Sequence, residues 1–92
     1  MDNAEIWHAF FANWPPGLPP RGVMVTSYND QIQFVSFMAT DTLLMVERQT
    51  PDSMGGRKVV IPFGNIVAVK VIDPIGTEPF TAAGFRAAPG RS

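Results

Sequence analysis

The chain holds no cysteine, which removes disulfide staples, thiolate metal ligands and a thiol nucleophile in one stroke. His8 is its one histidine. Charge is also scarce: 16% of residues are Asp, Glu, Lys or Arg, against about a quarter in ordinary globular chains. Seven basic residues face eight acidic ones, for a net charge of −1, so the broad positive field that holds nucleic acid without regard to sequence is missing. No apolar run approaches the roughly 18 residues that span a bilayer. The first residues carry Asp2 and Glu5 in place of Lys or Arg, so a cytoplasmic chain without a signal peptide is expected.

What is present suffices for one domain. The 92 residues include 46% hydrophobic and 11% aromatic side chains, enough for a core and too few for a second folded unit. Asp2 followed three residues later by Glu5 is a capping-box pattern, and Ile6, Trp7, Phe10, Phe11 and Trp14 recur on one helical face. The spacing predicts a helix over about 3–14, ended by Pro15-Pro16-Gly17. A proline-rich link, 15–20, then reads as an extended spacer.

From residue 22 the period changes to that of strands. Val23–Ser27, Ile32–Ala39, Leu43–Gln49, Val59–Phe63 and Val67–Ile72 are rich in Val, Ile, Phe and Thr, and turn-forming residues separate them. Five short strands on hairpin-length connections predict a strongly bent, five-stranded antiparallel barrel of the SH3-like kind over 22–73, making a mainly β domain of 1–73 with an N-terminal helix. Residues 74–92, with Gly76, Pro79, Gly84, Pro89 and Gly90 among small residues, read as a flexible tail that only Phe80 and Phe85 are able to anchor.

Catalytic chemistry has little to draw on. Ser27, Ser36 and Ser53 have no second histidine to serve them, G-x-S-x-G is absent, and Gly55-Gly56 reads as a hairpin turn and not as a phosphate cradle. Revival of an enzyme reading would need a cleft joining Asp41 to His8 with strongly shifted titration. No enzyme, no cofactor and no metal are expected.

The order of elements, together with the Asp30 to Asp41 spacing of eleven positions, the apolar run Leu43-Leu44-Met45-Val46 and the segment Val60-Ile61-Pro62-Phe63-Gly64-Asn65-Ile66-Val67, resembles the Sm-like family, which includes Sm, LSm and Hfq proteins. That resemblance covers residues 4–73. It implies a bent Sm-like barrel and a ring of roughly five to eight copies, closed head to tail. The family's RNA-contacting residues are largely missing. Met45 stands where Sm proteins place a base-contacting Asn, Leu43 where Hfq places a stacking aromatic, and Pro62-Phe63-Gly64 where the family carries cations. For RNA this leaves Asp41, Phe63 and Asn65 near the pocket, with Arg48, Arg57 and Lys58 as bases on a hairpin. The ring interface is expected at Val59, Ile61 and Phe63 on one strand and Val67, Val69 and Val71 on another, with Pro62 removing one donor from the former. A barrel of this size is marginal alone, and an exposed apolar edge invites pairing. The expected function is therefore a non-enzymatic, ring-forming Sm-like scaffold with residual RNA binding. The alternative is an adaptor barrel of the PRC or SH3-like type, suggested by Arg57-Lys58-Val59-Val60-Ile61-Pro62, which binds a protein partner.

Overall fold

A computed structural model of the chain describes residues 1–90. Helix α1 spans Asn3–Ala12. Its start is the one expected: Asp2 is extended and its Oδ1 accepts the Glu5 N–H at 2.8 Å, which satisfies a donor that the first helical turn leaves free. Phe11 is buried, with Trp7, Phe10 and Trp14 packed against the core. The proline-rich link is not an extended spacer. Leu18 N–H bonds back to Pro15 O at 3.1 Å, Gly17 takes the positive φ of 85° that this turn requires, and Trp14 Nε1 donates to Leu18 O at 2.9 Å. Pro15 and Leu18 are buried as a result.

Six strands follow: β1 Gly22–Thr26, β2 Gln31–Phe34, β3 Ser36–Ala39, β4 Leu43–Glu47, β5 Lys58–Pro62 and β6 Ile66–Lys70. They form two separate three-stranded antiparallel sheets, ordered β2-β1-β6 and β3-β4-β5. This overturns the expected five-stranded barrel: there is one strand more, and no pairing among the described residues joins β5 to β6 to close a barrel. The expected strand Ile32–Ala39 is divided at Val35, whose N–H donates to Glu47 O at 2.9 Å. Its side chains explain the division. Ile32 and Phe34 point into the core, and so does Phe37, three residues beyond Phe34. Period-two alternation cannot put all of these on one face, so the chain must break step between them.

Both sheets face one core. Met24, Ile32, Phe34 and Ile66 from the first meet Leu44, Val46 and Ile61 from the second, and Phe11 and Phe63 complete the cluster. A 3-10 turn, Phe63–Asn65, links β5 to β6. Asn3 pins α1 there, donating from Nδ2 to Gly64 O at 3.0 Å and Ile66 O at 2.9 Å. The segment expected to be a flexible tail contains a short helix, α2 Glu78–Ala82, and the Phe80 and Phe85 rings meet edge to face with centroids 5.8 Å apart. Its last two residues, 91 and 92, lie outside the described residues. No helix among the described residues is long and apolar enough to cross a membrane.

Candidate functional site

The residues expected to contact RNA fall in three places. Asp41 and Phe63 line a cleft of about 460 Å³ between α1 and the β3–β4 turn, together with Asp2, Glu5, His8 and Thr42. His8 Nε2 lies 4.0 Å from Asp41 Oδ1, beyond hydrogen-bond length. Asp41 is fully exposed, so solvent screens the pair. Among the described residues Thr42 is the one hydroxyl in the lining, and its Oγ1 has no hydrogen bond to His8 or Asp41. Phe63 is 1% exposed, edge-on to His8 and packed against Phe11. Its ring therefore has no free face for a base, which corrects its assignment as a stacking residue.

Asn65 faces a different opening, a cleft of about 340 Å³ in the seam between the sheets, which Tyr28, Asp30 and Val59 through Pro62 also line. Asn65 Nδ2 donates to Ser27 Oγ at 3.1 Å, bracing the turn after β1. The bases sit at the far end of the β4–β5 hairpin. Arg48 Nε is bound to Thr50 O at 3.2 Å, and Lys58 Nζ lies 3.3 Å from Glu47 Oε1. The Ser36 hydroxyl, followed by the Lys58 ammonium, holds the Glu47 carboxyl below the usual carboxylate range. In the same loop the Gly56 and Met54 N–H groups lower Asp52. Arg48 and Lys58 are thus engaged within the hairpin, while Arg57 is exposed.

The strand edges show a more definite arrangement. Arg48 N–H donates to Arg57 O and Phe63 N–H to Thr42 O, at the two ends of the β4–β5 ladder. Bonded residues alternate in an antiparallel ladder, so Val59 and Ile61 also turn their backbone groups toward β4. Lys58 and Val60 turn theirs outward, and Pro62 offers only a carbonyl. The donor that Pro62 lacks belongs to the free edge, and the ladder with β4 loses nothing. On the other sheet, Thr26 N–H donates to Asp30 O in the β1–β2 hairpin. Met24 therefore bonds β2, whereas Val23 and Val25 bond Lys70 and Ala68 of β6. Val69, opposite Met24, presents its N–H and C=O at the free edge of β6.

This corrects half of the expected interface. Val59, Ile61 and Phe63 direct their side chains to the core and their strand backbone to β4, so the free edge of β5 belongs to Lys58 and Val60. Val67, 59% exposed, and Val69 remain at the edge of β6, with Val71 just beyond its end. Val60, 61% exposed, was missed. Its signal lay in the alternation: once Ile61 is inward, Val60 is an apolar residue facing out.

No protein-family model, curated protein or solved structure matches the chain.

Proposed function

We propose that this chain is a non-enzymatic assembly module whose copies join head to tail through the free edges of β5 and β6. The carrying observation is that β5 and β6, two of the four edge strands among the described residues, bear Val60 on one free edge and Val67 and Val69 on the other. Such rows of open donors and acceptors are templates for further strands unless blunted. The β5 edge lacks a donor at Pro62 and β6 is irregular at Val67, where Val25 and Thr26 pair with Ala68 and Ile66, but Val60 and Val69 keep both outward backbone groups, and the edge lysine of β5 is drawn back to Glu47. A heterologous joint of this kind pairs every β5 edge with a β6 edge when its rotation closes, while β2 and β3 keep their outer edges. The reading keeps the subunit joining that the Sm-like resemblance implies and leaves aside that family's barrel. A scaffold role is favoured over an RNA platform because Phe63 is buried and two of the three hairpin bases are engaged. Cytoplasmic residence is part of the same proposal, and a chain that holds no disulfide is compatible with it.

The test is light scattering with proline placed at each edge. The wild-type chain should run at a multiple of 10.1 kDa at micromolar concentration. Val60→Pro and Val69→Pro, each removing one outward donor, should run as single chains with an unchanged far-ultraviolet spectrum. A wild-type species of single-chain mass refutes the proposal, as does assembly indifferent to both substitutions.

A further inference from the structure

Two apolar surfaces stand open to solvent, the first bare and the second partly packed against the chain's own core. The first is the outer face of the second sheet. Met38, Met45 and Val60 stand opposite one another across β3, β4 and β5. With Leu43 they line a hollow of about 300 Å³; Met38 is 69% exposed and Val60 61%. The second is a groove of about 320 Å³ between α1, β6 and the segment carrying α2. Ile6, Trp7, Phe10, Val69, Val71, Phe80 and Phe85 line it, and no charged residue among the described residues does.

We infer that these two patches are partners: the Met38–Met45–Val60 face of one copy seats in the α1–β6 groove of the next. The inference rests on the edge joint proposed above, and strand parity carries it. Val60 offers its backbone to the free edge of β5, and its side chain points out from the core. Val69 offers its backbone to the free edge of β6, and its side chain points inward, beside Met24 and into the groove. In an antiparallel joint the outward-bonding residues of one strand oppose those of the other, with side chains on the same side of the sheet. Val60 and Val69 therefore share a side, which continues the row Met38–Met45–Val60 directly toward the neighbour's α1. A parallel joint would instead set the outer face beside Ala68 and Lys70, leaving both apolar patches in water. The antiparallel joint covers both, and only a second copy of this chain supplies the matching edge and the matching groove together.

The segment from Asp73 onward does not block this seat. Its backbone hydrogen bonds among the described residues run within itself, from Ile75 to Asp73 and from Phe80, Thr81, Ala83, Gly84 and Phe85 to nearby carbonyls. It is held to the body by side chains and by the Asp73 contact with Arg21, so it is able to shift as a neighbour arrives.

The experiment uses two full-length variants that charge one patch each, Met38→Glu/Val60→Glu on the outer face and Ile6→Lys at the rim of the groove. All three residues are exposed, so the folded chain should survive, which circular dichroism and thermal melting check. Each variant alone should associate about tenfold or more weakly, since a charge would be buried without a partner. Mixed in equal amounts, they should recover a species of at least two chains, because the intact outer face of one meets the intact groove of the other. The inference is overturned, with the edge joint left standing, if Val69→Pro dissociates the assembly while both charged variants assemble like wild type. It is equally overturned if the mixture stays monomeric. A wild-type chain that is itself monomeric removes the edge joint and this seat together.

Discussion

Gly22 carries a constraint that no other residue type meets. A Cβ built there would lie 2.6 Å from the Lys70 carbonyl oxygen, where β1 runs against β6. The neighbouring atom is backbone, so it cannot swing aside as a side chain would. Gly22→Ala should therefore cost about 1 to 3 kcal/mol of stability through overpacking, read as a lowered urea midpoint with an unchanged slope. A wild-type midpoint would mean that the two strands separate there at little cost. Residue-scale features divide in how legible they were. The Asp2 cap was readable because capping is a local hydrogen bond between residues three apart. The pinning of α1 by Asn3 was not, since its two carbonyl partners lie more than sixty residues away. The burial of Phe63 was also hidden, because an aromatic at a strand end looks the same in sequence whether it packs inward or outward.

At the scale of elements, the tie between Arg21, just ahead of β1, and Asp73, just beyond β6, is the contact most open to measurement. Arg21 Nη2 lies 2.7 Å from Asp73 Oδ1, and its Nε lies 3.1 Å from both carboxylate oxygens. The guanidinium holds the Asp73 carboxyl below its usual range, and Asp73 raises Arg21 in turn. A carboxyl lowered by folding stabilises above its unfolded pKa, and the contribution fades as pH falls through the folded value. The raised Arg21 would lose its share only in strong alkali. Glu47 and Asp52 are lowered as well, so stability should fall below about pH 4, the ordinary carboxylate range. Asp73→Asn should be less stable at neutral pH and show a shallower loss on acidification, measured by urea midpoints at pH 7 and pH 3. Equal losses in both proteins would indicate that water screens the pair completely. The elements also show how far periodicity carries. Strand β6 was expected at Val67–Ile72 and lies at Ile66–Lys70, and its valines do not keep one face, because the register shift opposite Val25 and Thr26 leaves Val67 exposed while Val69 packs on the core. Ile32–Ala39 was read as a single strand because all its residues favour strands, yet Phe37 breaks the alternation and marks the division at Val35.

For the whole molecule, the free edges and two apolar patches make stability depend on association. If copies join as proposed, the melting temperature should rise with protein concentration, because assembly draws only on the folded chain. Scanning calorimetry across a hundredfold dilution checks this. A melting temperature independent of concentration would identify a chain that is stable alone. The same edges explain why the candidate site was half legible: the sequence singles out apolar strands, but which side of a strand is bonded depends on its neighbour. Val59 and Ile61 were assigned to the joint because they are apolar, and register with β4 turns them away from it.

From the sequence alone follow the capped first helix, the strand-rich middle and the scarcity of histidine and cysteine, because each depends on composition or on interactions only a few residues apart. Tertiary structure decided the rest. Two sheets replace a closed barrel, Phe63 lies inside, and Val60 and Val69 stand at open edges. These outcomes depend on pairings between residues far apart in the chain, which become definite only when the whole core packs at once.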